Sequence, residues 1–319
     1  MKKALALVLC FIMIIPLFTG CKPSKNNTAG KLSVVTTIFP IYDWVREITG
    51  GCSDIDLSLL IDNGVDIHSF QPSAEDIIKI SACDMFIYVG GESDNWVTDA
   101  LKEKVNKDMV VINLLDILGS SAKDEKKVEG MEAESDDAPE TDEHVWLSLR
   151  NAEKFCSAIT EKLKTLCPKD KAEFEADGKA YINKLEALDK SYKNAVDGSK
   201  NKTMVFGDRF PFLYLAEDYG LSYYAAFSGC SAETEASFKT IAFLAGKVDE
   251  YKLKSILKIE TSDGSVAETI RSATKAKNQR ILTLDSMQSK TSDDIKNNVT
   301  YILVMDKNLR ILKKALEQV

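Results

Sequence analysis

Residues 170–196, DKAEFEADGKAYINKLEALDKSYKNAV, form one charged amphipathic stretch of about 27 residues, which as an α-helix spans roughly 40 Å at 1.5 Å per residue. A helix of that length can reach across two halves of a molecule, and the sequence on either side of it supplies two halves. Before it, LSVVTTIF (32–39), DIDLSLLI (54–61), DMFIYVGG (84–91) and MVVINLLD (109–116) have the β-branched density of buried strands. Between them, YDWVREITG has helical spacing that stops at Gly50, and SAEDIIKI opens on Ser73 as an N-cap. After the long helix, TMVFG (203–207), LSYYAAF (221–227), SILKIE (255–260) and RILTLD (280–285) read as strands, with helices over 212–219, over about 235–247 and in ILVMDKNLRILKKALEQV. The expected fold class is α/β, with two α/β lobes joined by one long helix and a cleft between them, a favoured place for a ligand.

The first residues, MKKALALVLCFIMIIPLFTGC, place Lys2 and Lys3 before an apolar run from Ala4 to Phe18 and end in small residues and Cys21. This is the pattern of a secretory signal, and the run is shorter than the roughly 20 residues a membrane-spanning helix needs. Phe18-Thr19-Gly20-Cys21 resembles a bacterial lipobox, with Phe18 where leucine is usual, and implies lipidation of Cys21. KPSKNNTAGK then serves as a tether. The expected organisation is a signal peptide over 1–20, a lipidated tether over 21–31, a first lobe over 32–169, a connecting helix over 170–198 and a second lobe over 199–319. The 41 basic and 49 acidic residues give a net charge of -8 with no basic cluster, which argues against a nucleic-acid partner. From Lys123 to Glu143 ten acidic residues stand against three basic ones, so 122–143 is expected to be a mobile acidic surface loop. Cys52, Cys83, Cys156, Cys167 and Cys230 contain no CxxC, and five cysteines cannot all pair within one chain; buried thiols or one disulfide are both open.

The chain has two histidines. His68, in NGVDIHSFQPSAEDI, follows a strand and precedes a helix, the position that faces the crevice at the carboxyl ends of a parallel sheet. His144, in TDEHVWLSLRNAEKF, leaves the acidic loop of the same lobe. Each read alone fits an ordinary surface histidine. Together they fit a site for zinc, manganese or iron, which carboxylates would complete. Asp285, Glu260 and Asp208 stand at strand ends of the second lobe and are the candidates. Cys230 is a softer candidate, although a lone cysteine is more often a buried small hydrophobe.

The segments VVTTIFPIYDWVREITG, NGVDIHSFQPSAEDI, DEHVWLSLRNAEK, FLYLAEDYGL and RILTLDSM, in this order, resemble the metal-binding lipoproteins that deliver zinc or manganese to ATP-binding-cassette importers. The resemblance covers almost all of 31–319. It implies two α/β lobes with the metal between them, His68 and His144 as the first two ligands, and Asp285 as the carboxylate from the second lobe. At the family's remaining ligand position, five residues before Tyr214, stands Arg209, which cannot coordinate a cation. Asp208, Glu260 or water is then expected to replace it; Glu233 and Glu235 fit two readings equally, one of them pairing with Arg209 or both favouring a helix N-terminus. Zn2+ leads, with Mn2+ and Fe2+ behind. The implied partners are a divalent ion, the membrane permease of the importer and, through the lipid only, the outer face of the cell membrane, for a monomeric receptor that is not an enzyme. The alternatives are a surface adhesin, a nonmetal solute-binding lipoprotein and a metal-dependent hydrolase; the last lacks both HExxH and GxSxG.

Overall fold

The computed structural model describes residues 30–132, 140–231 and 235–317. The expected signal peptide, Cys21, most of the tether, the middle of the acidic loop and Glu233 lie outside the described residues.

In the first lobe, β1 (Leu32–Thr36), β2 (Ile55–Leu59), β3 (Met85–Tyr88) and β4 (Val110–Asn113) form a parallel sheet in the order β2-β1-β3-β4. Parallel strands need crossovers on the sheet faces, and α1 (Phe39–Ile48), α2 (Ala74–Ala82) and α3 (Trp96–Lys102) supply them. The strand read over 32–39 ends at Thr36, because Pro40 lies in the first turn of α1, where its fixed φ suits a helix start. The segment read as strand over 109–116 turns helical after Asn113, whose side chain accepts from the Asp116 N–H and opens α4 (Leu114–Leu118). Ser73 and Asp76 form a reciprocal capping box at the start of α2.

The chain continues through α5 (Leu149–Leu166) into α6 (Lys171–Asp197), the expected long helix. Phe174, Tyr181, Leu185, Leu188 and Tyr192 make the buried stripe of α6, which lies against α1 and α5 of the first lobe. In the second lobe, β5 (Thr203–Arg209), β6 (Ser222–Phe227), β7 (Ser255–Ile259) and β8 (Arg280–Leu284) repeat the topology as β6-β5-β7-β8, all parallel. Its helices are α7 (Leu213–Tyr219), α8 (Phe238–Glu250), α9 (Ser265–Ala273), the short α10 (Ser292–Lys296) and α11 (Tyr301–Ala315), and α11 also packs on α6. The Tyr192 hydroxyl donates to the Met305 carbonyl (2.6 Å), tying the long helix to α11.

A buried polar seam joins the lobes. Trp146 Nε1 donates to the Ser286 carbonyl (2.8 Å), the Tyr301 hydroxyl to the Trp146 carbonyl (2.7 Å), and the Tyr301 N–H to Asp43 (2.7 Å). One continuous apolar core runs from β1 and β3 through α5 and α6 to β5, β8 and α11, so the two sheets are set rigidly against each other. Among the described residues no helix is long and apolar enough to cross a membrane. Cys52, Cys83, Cys156, Cys167 and Cys230 are all free thiols, and burial drives the pKa values of Cys83 and Cys156 upward.

The described flanks of the acidic loop are docked, unlike the packing-free loop expected from their composition. Asp124 bridges Thr141 in antiparallel fashion, the Glu132 N–H donates to the Ala226 carbonyl (2.9 Å), and the Gly130 carbonyl accepts from Thr240 (3.0 Å). Charged side chains of the same flanks take part as well: Lys123 and Lys126 pair with Glu217, and Glu125 accepts from the Cys230 N–H.

Candidate metal centre

The carboxyl ends of both sheets face the interlobe cleft, and the loops that leave them carry the candidate ligands. Each histidine is held by the aspartate two residues before it. Asp66 Oδ1 accepts from the His68 N–H (3.1 Å) at the start of a short 3-10 turn, Ile67–Ser69. Asp142 Oδ1 accepts from the His144 N–H (2.8 Å) and also faces His144 Nδ1 (3.1 Å). An aspartate accepting from the backbone two residues on is a local turn that needs no tertiary support. The repeated Asp-x-His of DIH and DEH is therefore a signal that the sequence reading passed over.

The rings converge. His68 Nε2 and His144 Nε2 are 3.2 Å apart, with ring centroids at 5.1 Å and planes inclined by 58°. Each Nδ1 is engaged on the far side, His68 with Ser93 Oγ (2.7 Å) and His144 with Asp142. An imidazole whose Nδ1–H is donated keeps its Nε2 lone pair for a metal. Two nitrogens bound at about 2.05 Å to one tetrahedral zinc ion stand about 3.3 Å apart, close to the separation seen here.

Charge on the pair is strongly divided. Burial, then the neighbouring His144, push His68 down to about 3, so its ring is neutral. Burial opposes charge on His144 as well, but Asp142 and Glu143 outweigh it and raise its pKa. Of the two rings, His144 is the one whose surroundings favour a proton, and its Nε2 faces that of His68. The Gln288 amide, oriented with its nitrogen toward Asp66, places its oxygen 2.9 Å from the same Nε2. A cation placed between the two Nε2 atoms would compete with a proton there.

Glu143 is buried, with Oε1 accepting from the Ser93 N–H (2.8 Å). Its Oε2 has no hydrogen-bond partner and lies 3.6 Å from His68 Nδ1. Gly91, with φ +85°, leaves room for this carboxylate; a Cβ there would come within 2.3 Å of Oε1. Burial raises the pKa of Glu143. Burial, followed by the like charges of Glu92 and Glu125, does the same for Glu140. These acids make the cleft mouth attractive to cations.

The carboxylates expected from the second lobe hold other groups. Asp285 accepts from Lys290 Nζ (2.6 Å) and the Met287 N–H (2.9 Å). Glu260 grips Ser286 through its N–H (2.7 Å) and hydroxyl (2.8 Å); its pKa is raised by burial and then by Asp285. Asp208 accepts from the Arg209 N–H (2.8 Å) and the Ile259 N–H (3.1 Å), bridging β5 to the end of β7; it lies in the stretch of β5, between Phe206 and Arg209, where the pairing with β6 shifts register. Arg209 does not pair with Glu235, and Glu233 lies outside the described residues. Its guanidinium reaches across the cleft to Asp66 (2.7 Å) and donates to the Ser231 carbonyl (3.3 Å). A cavity of about 650 Å³ adjoins this ion pair, with Ser69, Asp208, Glu235 and Asp263 in its wall.

Among the described residues, the potential ligand that gathers with both histidines is Cys230: Sγ and one ring nitrogen of each histidine all lie within 4.8 Å of one another. A second group, Cys52 with Asp54 and Asp170, lies at the opposite end of the first sheet, and Asp54 there is paired with Lys169.

Residues 34–315 match the family model described as ZnuA, zinc-uptake complex component A, periplasmic. The chain is 33% identical over 303 residues to the zinc-binding lipoprotein AdcA of Streptococcus pneumoniae, covering 95% of this chain but 59% of that relative. It is 30% identical over 311 residues to the high-affinity zinc uptake system protein ZnuA of Bacillus subtilis, covering 96% and 95% of the two chains. The Zn(II)-bound ZnuA-like domain of Streptococcus pneumoniae AdcA superposes with a TM-score of 0.71 at 31% identity, over 91% of this chain and all of that one. The laminin-binding protein Lmb of Streptococcus agalactiae, described as a bifunctional protein with adhesin and metal transporting activity, superposes with a TM-score of 0.71 at 26% identity, over 89% and 99%.

Proposed function

The chain belongs to the ZnuA family of zinc-uptake components, and on that premise we propose that it is an extracytoplasmic receptor that captures a zinc ion and passes it to the membrane permease of an ATP-binding-cassette importer. The observation that carries the reading is the pair of Nε2 atoms 3.2 Å apart with both Nδ1 atoms engaged behind them. His68 and His144 supply the two imidazoles. Ser93 and Asp142 fix their orientation, and the acidic mouth raises the local cation concentration. Lipidation at Cys21 keeps the receptor at the outer face of the cell membrane. Such a protein binds and releases its cargo without turning it over, so no catalytic residue is required.

Zinc is favoured over manganese and ferrous iron by the imidazole pair and by the Zn(II)-bound state of similar structures. An adhesive role alongside metal capture is favoured by one comparison, the similarity to the laminin-binding Lmb. Native mass spectrometry of the purified chain, offered zinc, manganese and ferrous iron at equal concentration, tests the reading. One added zinc ion per chain is expected; no retained metal, or manganese alone, contradicts it.

A further inference from the structure

We propose that the second lobe reaches the bound ion through the thiolate of Cys230 rather than through any of its strand-end carboxylates, and that this sulfur sets the preference for zinc over manganese. The inference rests on the metal-receptor reading above and specifies its ligand set.

Three independent features of the cleft carry it. The first is distance. A tetrahedral zinc with Zn–N of about 2.05 Å and Zn–S of about 2.3 Å requires about 3.3 Å between nitrogens and about 3.6 Å between nitrogen and sulfur. The nitrogens already meet the first value, and Sγ lies within 4.8 Å of both rings, so a side-chain rotation of the cysteine closes the rest. The second feature is that the acidic residues of the second lobe's strand ends, and Asp66 opposite them, are engaged: Asp285 by Lys290, Glu260 by Ser286, Asp208 by the backbone of β5 and β7, and Asp66 by Arg209. Arg209 ends β5 and carries a permanent positive charge, so that strand end gives the ion no ligand. The donation moves to the loop after the neighbouring strand β6, where Cys230 lies.

The third feature is how that loop is brought in. Gly229 packs flat on His144, and a Cβ there would stand 3.2 Å from ring atoms Cε1 and Nδ1. The Cys230 N–H donates to Glu125 (2.7 Å), from the docked flank of the acidic loop. The loop is thus pinned on both sides, with Sγ within 4.8 Å of a ring nitrogen of each histidine. A soft thiolate beside two imidazoles suits zinc and disfavours manganese, which prefers oxygen ligands.

Cobalt(II) titration of the reduced protein separates the possibilities, because a cobalt–sulfur bond adds a near-ultraviolet charge-transfer band to the visible bands of the tetrahedral ion. Wild type and Cys52→Ser should show both signatures. Cys230→Ser should keep the visible bands, lose the charge-transfer band, and bind zinc at least about tenfold more weakly with manganese affinity little changed. In wild type, zinc should also protect the Cys230 thiol from alkylation, read by peptide mass spectrometry, which needs no variant to fold. Visible bands without charge transfer, charge transfer that survives Cys230→Ser, or an unprotected Cys230 would overturn the thiolate while leaving the receptor intact. Failure to bind either cobalt or zinc would instead overturn the receptor reading itself.

Discussion

On the proposed reading, a proton and a metal ion compete for one nitrogen of His144. Asp142 holds Nδ1 and keeps the ring's pKa raised, which favours the proton on this imidazole. His68, driven down to about 3, has its lone pair free throughout. Zinc affinity should therefore rise with pH through the raised His144 value and fall steadily below it; affinity unchanged between mildly acidic and mildly alkaline buffer would contradict this. Ser93→Ala removes the hydroxyl that orients His68 and should weaken zinc roughly 10- to 100-fold without altering its one-to-one stoichiometry, a difference that competition with a chelator will measure. The histidines were legible in the sequence because there are only two of them, each in a loop leaving a strand. Cys230 stood only as a softer candidate, since a single cysteine carries no spacing pattern. The expected carboxylates were chosen for their place at strand ends, a place where Asp208 and Glu260 instead satisfy backbone N–H groups.

Helix α6 was readable almost residue for residue, because its charged periodicity runs unbroken from one lobe to the other. What its sequence did not announce is how closely it lies on α5. Gly178 packs against Thr160, and a Cβ there would approach Oγ1 to 2.5 Å. Gly178→Val should overpack this contact and lower stability by about 1–3 kcal/mol in urea denaturation, with zinc binding retained in the folded fraction. The loop after β3 offers a second test. Asp94 caps the Val89 and Gly90 N–H groups (both 3.0 Å), and burial raises its pKa to about 7. A carboxyl whose folded pKa is raised binds its proton more tightly when folded, so its unfavourable charge weighs on the fold above about pH 7 and is relieved as pH falls toward its ordinary 3.8. Asp94→Asn should accordingly raise the melting temperature above pH 7 and lose that advantage near pH 4. A constant offset across this range would contradict the burial argument.

The whole molecule is two parallel sheets whose carboxyl edges meet at one cleft, and the buried seam of Trp146, Ser286, Tyr301 and Asp43 keeps them there. A second tie crosses nearer the site, through Arg209 with Asp66, Ser292 with Asp62 (2.7 Å), and the Asn63–Thr291 bridge. Capture should then proceed by local side-chain and loop movement. The radius of gyration, roughly 19 Å for a chain of this size, should shift by about 1 Å or less when zinc is added in small-angle X-ray scattering, whereas a hinge closure would shift it by more. The two-lobe plan was legible from alternating strands and helices; the docking of the described flanks of the acidic loop on the second lobe was not, because composition does not say which partner a charged side chain or a backbone group meets. The central claim, that His68 and His144 together hold one zinc ion, is tested most directly by calorimetric titration of metal-stripped residues 22–319 with zinc. Tight one-to-one binding that His68→Ala and His144→Ala each weaken by roughly 100-fold or more is the predicted result; absence of binding, or binding that survives both substitutions, would contradict it.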